Sequence, residues 1–237
     1  MRIVCLSDTH CLQNHFKVPE GDLLIHAGDF CNTGSERDVH KFATWLHRLP
    51  HRHKVVVAGN HDWFFQKQPE LARAYLEPGA IYLQDSGCEI AGLKFWGSPW
   101  QPWFMDWAFN LPRRGIRLRE IWNQIPIDTD VLITHSPPHG ILDEVHRRPA
   151  AWGPEKGPSG PFGCEELALR LPAVKPKLHV FGHIHDSYGS LEQEGTLFVN
   201  ACICDEDYKP MHPAIVVDVD AKGHSTPVKA LELPRLG

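Results

Sequence analysis

The chain has 237 residues, 42% of them hydrophobic and 22% charged, with a formal net charge of −5. That length suits one large α/β domain, and the composition is that of a folded chain, so disorder is excluded as a default. The acidic balance argues against a protein held mainly on nucleic-acid phosphates, and no apolar run approaches the roughly 18 residues of a membrane span.

Short apolar runs alternate with helical patterns along the chain. Strands are expected at Arg2–Leu6 and 23–25. A helix follows over 36–49, where Val39, Phe42, Ala43 and Leu46 form one stripe, Ser35 is placed to cap it and Pro50 to stop it. Strands at 54–58, 81–83 and 93–96 enclose a helix at Pro69–Leu76. A helix at 116–124 leads to a strand at Val131–Thr134. A helix at 164–171 leads to strands at Leu178–Phe181, 197–199 and 214–219. Several of these strands are continuous Val, Ile and Leu runs, the mark of burial on both faces. The alternation predicts α/β layers around one core, hence a single domain over 1–237. The Pro- and Gly-rich stretch 147–163 reads as a loop, either a plain connector or a lid.

Five apolar runs end in residues able to hold a metal. The first is followed by Asp8 and His10, the second by Gly28 and Asp29, the third by Gly59, Asn60, His61 and Asp62. His135 follows the fourth; Gly182, His183 and His185 follow the fifth. In open α/β sheets the carboxyl ends of strands open onto one crevice, so the five sets are expected to converge. Carboxylate, imidazole and a side-chain carbonyl suit Mn, Fe, Zn or Ni. Asp29 is the natural carboxylate to bridge two ions, which lie roughly 3.5–4 Å apart in such centres. Two divalent ions against Asp8, Asp29 and a bridging hydroxide leave about one positive charge, enough to attract a phosphate monoanion to an acidic protein. Each motif alone is weak; all five in order, each at a strand end, are specific.

The series Asp8-x-His10, Gly28-Asp29, Gly59-Asn60-His61-Asp62, Thr134-His135 and Gly182-His183-x-His185 resembles the calcineurin-like metallophosphoesterase superfamily. The segments LPHRHKVVVAGNHD, IYLQDSG, FWGSPWQPWF, FNLPRR and KPKLHVFGHIH are similar to its metallophosphoesterase-domain-containing branch, grouped with class III cyclic-nucleotide phosphodiesterases. The resemblance implies two packed mixed β-sheets flanked by helices, a four-layer αββα sandwich. It implies one metal on Asp8, His10, Asp29 and His185 and a second on Asp29, Asn60, His135 and His183. Mn2+ is the first expectation, with Fe, Zn or Ni as alternatives. His61 would sit beside the substrate phosphate and protonate the leaving group, oriented and polarised by Asp62, while a metal-bridging hydroxide attacks phosphorus. Two departures stand out. Ser136-Pro137-Pro138 follows His135 where many relatives carry Gly, and His183 is kept where some animal members carry Gly and are weakly active. Full metal sites and a cytoplasmic phosphodiesterase of small, nucleotide-like diesters are therefore expected. A phosphomonoesterase or nuclease with the same centre stays open, as does a nucleotide-binding regulatory protein with little turnover.

Other residues carry plainer expectations. The segment 95–109, with four Trp and three Phe, is either a wall that stacks a nucleotide base or ordinary core, with a homodimer patch also open. His26 and His179, inside apolar strands, are expected as satisfied core histidines. His51 and His53 read as a solvated edge. Arg113 and Arg114 read as a surface loop before a phosphate contact, and His139 as a loop residue. The seven cysteines, without a C-x-x-C pair, read as free thiols.

Overall fold

The computed structural model describes residues 1–77, 79–146, 159–220 and 225–228. Chain order begins β1 (Arg2–Leu6), β2 (Leu23–His26), α1 (Glu36–Arg48), β3 (His53–Val56), α2 (Trp63–Lys67), α3 (Pro69–Leu76), β4 (Ile81–Tyr82) and β5 (Ser86–Ile90). It continues β6 (Leu93–Ser98), β7 (Gln101–Pro102), β8 (Asn110–Leu111), α4 (Ile116–Asn123), β9 (Val131–Thr134), β10 (Glu144–Val145) and β11 (Gly160–Pro161). It ends α5 (Glu165–Val174), β12 (Leu178–Phe181), β13 (Gly189–Gln193), β14 (Thr196–Asn200), β15 (Ile215–Val219) and β16 (Ser225–Val228).

Two six-stranded sheets carry the fold, in the orders β16-β15-β1-β2-β3-β4 and β13-β14-β12-β9-β6-β5. In the first, β1 to β4 run parallel, β15 pairs antiparallel with β1 and β16 antiparallel with β15; in the second, β14, β12, β9 and β6 run parallel between antiparallel β13 and β5.

Side-chain alternation builds the layers. In β1, Ile3 and Cys5 point to one face and Val4 and Leu6 to the other, and all four are fully buried. Ile3, Leu23, Ile25 and Val55 meet Val131, Ile133, Val180 and Val199 between the sheets. Val4, Leu6, Leu24 and Val56 meet the apolar stripes of α1 and α3 and Phe65 of α2 on one outside. Leu132, Phe181 and Phe198 meet Leu118 and Trp122 of α4 and Leu167 and Leu171 of α5 on the other. This is the expected αββα sandwich. The expected stripe of α1 is the buried one, and the Ser35 hydroxyl accepts from the Asp38 N–H at 3.2 Å.

The edges differ from the sequence expectation. Strands β5 (SGCEI) and β13 (GSLEQ) carry no apolar run; they form because β6 and β14 offer an open ladder to pair with. Helix α2 has five residues, too short for a periodicity signal. Helix α5 runs past Leu171 through Pro172 to Val174; the interior proline gives up one helix hydrogen bond, and the burial of Leu171 and Val174 on the same side offsets that loss. It stops at Lys175, which has φ +48°.

His51 is a correction: it is buried, its Nε2–H donating to the Pro19 carbonyl at 3.0 Å, while the Lys54 ammonium donates to the His51 carbonyl. Arg52 beside it stays exposed and His53 half-buried, so the expected solvated edge holds for those two residues but not for His51. His26 and His179 are buried, bonded to Thr9 and Thr134 hydroxyls at 3.0 and 2.9 Å; His26 is the expected satisfied core histidine, whereas His179 Nδ1 has no partner among the described residues. Burial pushes both down to about 3, so they are neutral. Most of the expected loop 147–163 lies outside the described residues. Its end is pinned by Arg113, which donates to the Phe162 and Gly163 carbonyls and pairs with Glu165. Arg113 is thus a staple within the fold.

Candidate metal centre

The carboxyl ends of β1, β2, β3, β9 and β12 meet at one place. The two sheets are stitched together there: Ser7 N–H donates to the Ala201 carbonyl and Ile203 N–H to the Ser7 carbonyl, both at 2.9 Å. Every residue expected at the site is brought into it, with Asp62 just behind.

One cluster is Asp8, His10 and His185. Nε2 of His185 lies 3.2 Å from Asp8 Oδ1 and 3.3 Å from Nε2 of His10. A second is Asp29, His135 and His183, with Asn60 beside it. Nε2 of His135 lies 2.9 Å from Asn60 Oδ1 and 3.4 Å from Asp29 Oδ2. A third grouping, His10, Asp29 and His61, links the two.

Backbone carbonyls decide which ring nitrogen faces inward. Nδ1 of His135 meets the Ala27 carbonyl at 3.0 Å, Nδ1 of His185 the Asp205 carbonyl at 2.8 Å, and Nδ1 of His61 the Asn32 carbonyl at 2.5 Å. A carbonyl can only accept, so each Nδ1 carries the proton and each Nε2 is turned to the crevice. This is the orienting contact that metal-ligating imidazoles use.

Bringing these groups so close strains the backbone. Asp8, His10, Asp29 and His183 have φ of +53°, +40°, +55° and +68°, a region non-glycine residues rarely occupy. Strain of this kind collects at functional sites, where the surroundings over-determine the conformation. Glycines clear the space. Gly28 has φ +105°, and a Cβ there would lie 2.5 Å from His135 Nδ1. A Cβ at Gly182 would lie 2.0 Å from Asp8 Oδ2 and 2.1 Å from Ser7 Oγ. Gly182→Ala is therefore expected to displace Asp8, to cost about 1–3 kcal/mol of stability and to lower metal retention. Thermal melting and elemental analysis of the purified variant check this; values matching the parent would refute the close approach.

The electrostatics fit a cation centre. Burial would raise the Asp8 carboxyl, yet its hydrogen bond from His185 and the nearby His charges hold it well below the usual carboxylate range. Asp29 is likewise held ionised against burial, chiefly by His135 and His61. Burial disfavours charge on His135, but Asp29 and Asp8 outweigh it and push its pKa up to about 9. Burial pushes His10 and His183 down to about 3, leaving neutral rings with free lone pairs. Among the described residues, His10 Nδ1 is buried without a partner. Two ionised carboxylates, inward-facing imidazoles and an amide oxygen form the mixed N/O set that first-row divalent ions take.

The expected polarisation of His61 by Asp62 takes another form. The Asp62 carboxyl group, its pKa pushed up to about 8 by burial and the charge of Asp29, accepts the backbone N–H groups of Gly59, Asp29 and Cys31 at 2.8, 2.9 and 3.0 Å. It ties the β2 and β3 loops together, while Asn32 orients the His61 ring. Asn32 acts through its backbone, so no residue-type signal marked it. Three more residues join the site. Trp107 stacks on His61 at 4.1 Å. Tyr208 packs its edge against His10 at 4.7 Å. The Cys202 thiol donates to Asp8 Oδ2 at 3.2 Å. Of the aromatic segment, Phe95 and Phe109 are core, Phe104 meets His183 at 6.1 Å, and Trp103 and Met105 are exposed. His139 stands 41% exposed beside Asp143, away from both clusters.

The same residues carry a family signature. The calcineurin-like phosphoesterase family profile matches residues 1–187. The human Metallophosphoesterase domain-containing protein 1 is 42% identical over 247 residues, covering 94% of this chain and 72% of that protein. A Caenorhabditis elegans UPF0046 protein is 38% identical over 219 residues, covering 87% and 71%. The solved structure of TT1561 from Thermus thermophilus shares the fold at TM-score 0.57 and 13% identity, covering 96% and 97%. The chain belongs to the calcineurin-like phosphoesterase family, which defines it as a metallophosphoesterase. The Asp and His clusters are this chain's candidate metal ligands.

Proposed function

We propose that the chain hydrolyses small phosphodiesters of nucleotide type, 2′,3′- or 3′,5′-cyclic nucleotides among them, within a single domain spanning its length. Asp8, His10, Asp29 and His185 would hold one divalent ion and Asp29, Asn60, His135 and His183 the other, with Mn2+ the first choice and Fe, Zn or Ni the alternatives. Ions bound there supply Lewis-acid charge neutralisation and lower the pKa of bound water. The chain's residues supply the rest. His61, with Nδ1 held by the Asn32 carbonyl and Nε2 3.9 Å from Asp29 Oδ2, is aimed to give a proton to the departing oxygen. Trp107 stacked on that ring keeps it from rotating. Phe104, with Trp103 and Met105 beside it, gives the mouth an apolar rim suited to a nucleoside or aryl leaving group.

The observation that carries this reading is the meeting of two Asp–His clusters, Asp8 with His10 and His185 and Asp29 with His135 and His183, linked through the grouping of His10, Asp29 and His61. Metal content after purification, paired with a substrate panel before and after chelation, tests it. About two ions per chain, and diester turnover lost on chelation and restored by Mn2+, are expected. Higher kcat/KM on monoesters or oligonucleotides would replace the substrate class. A metal-free protein that resists loading would end the proposal.

A further inference from the structure

We propose that the Tyr208 hydroxyl contacts the substrate, donating a hydrogen bond to a phosphoryl oxygen; this deepens the phosphoesterase reading and rests on it. The ring stands over the site, its centroid 4.7 Å from His10, 5.1 Å from His185 and 6.2 Å from His61. It packs edge-on against both imidazoles of the Asp8 cluster and lies beside the proton donor proposed above. Among the described residues its hydroxyl has no hydrogen-bond partner, and the charges of Asp29 and Asp8 both act on it. A half-buried tyrosine usually finds a partner for its O–H. Here the partner is a ligand that arrives.

The loop that carries Tyr208 is built to hold it there. Its backbone is left-handed, with φ +60°, which an ordinary packing residue avoids. Asp205 enforces it: its carboxylate accepts the N–H groups of Asp207 and Lys209 at 3.0 and 2.9 Å, and its N–H donates to the Lys209 carbonyl at 2.8 Å. The Asp205 carbonyl accepts from the Tyr208 N–H at 2.9 Å and from His185 Nδ1 at 2.8 Å. One carbonyl therefore sets both the cluster's imidazole and the tyrosine above it. A space-filling role needs neither the hydroxyl nor the strained backbone. A phenol is protonated at neutral pH, so it donates where two carboxylates could only repel an anion.

The test is Tyr208→Phe in the Mn2+-loaded full chain, which removes one oxygen and keeps the ring. Three readouts are taken: metal content, affinity for inorganic phosphate by calorimetry, and kcat/KM on bis-p-nitrophenyl phosphate. Unchanged metal content, with phosphate affinity and kcat/KM each falling about ten- to hundredfold, is expected from losing a hydrogen bond to a charged group. Phosphate affinity within twofold of the parent overturns the contact. Loss of metal from the variant also overturns it, since Tyr208 would then act only by supporting His185 and its loop. The two proposals fail separately. A parent that turns over no ester, but whose phosphate affinity falls in the variant, keeps the Tyr208 contact and ends the phosphoesterase reading. A parent that hydrolyses diesters no better than its variant does the reverse.

Discussion

Asp29→Asn is expected to lose divalent metal from both clusters at once and to lower kcat/KM at least about 10³-fold, beyond the 10–100-fold typical of outer contacts. The substitution is nearly isosteric. The Asn side-chain oxygen still accepts the His61 N–H that Asp29 Oδ1 accepts at 2.7 Å, so the β2 and β3 loops stay joined. The other atom changes sign. An amide N–H2 replaces Oδ2 and donates to His135 Nε2, 3.4 Å away, occupying the lone pair that a cation needs. Half the carboxylate charge of the centre goes with it. Elemental analysis and circular dichroism measured together decide the point. A folded variant that keeps two ions would mean Asp29 does not serve both positions. A folded variant that keeps one would mean it serves only the other cluster.

His61→Ala carries the second largest effect. Metal content should hold, while turnover of a substrate with a poor alkoxide leaving group falls about 10²–10⁴-fold, the usual contribution of general acid catalysis. The loss should be far smaller for p-nitrophenolate, which departs without a proton. That contrast separates proton donation from mere positioning, since a misplaced substrate would suffer equally with either leaving group. His61 Nε2 also belongs to a cluster with His10 and Asp29, so the metal measurement is needed beside the kinetics. If the variant loses an ion, His61 is a ligand and the proton comes from elsewhere.

Much of this was legible before the structure. Parallel strands buried on both faces are predominantly apolar, so β1, β9 and β12 show as short, mostly apolar runs with clear ends, interrupted in β12 by the buried His179. Metal chemistry admits few side chains, so Asp8, His10, Asp29, Asn60, His135, His183 and His185 stand out at those ends. Edge strands β5 and β13 were not legible, because a half-exposed strand takes its shape from its neighbour's ladder more than from its own composition. His51 misled for a related reason: its flanking Arg52 and Lys54 look solvated, but the Pro19 carbonyl, 32 residues away, draws it inside.

The amino-acid order alone was enough to pick out the candidate ligands, the strand ends that present them, and the layering that follows from alternate burial. It could not say which nitrogen of each imidazole faces the crevice. That depends on the carbonyls of Ala27, Asn32 and Asp205, which lie 108, 29 and 20 residues from the rings they orient. Nor could it show that Asp62 serves three backbone N–H groups or that Cys202 reaches Asp8 across 194 residues. Every residue has a backbone carbonyl and all but proline an N–H, so those groups leave no mark in a sequence. Folding selects among them, and with them the direction in which the chemistry of this centre points.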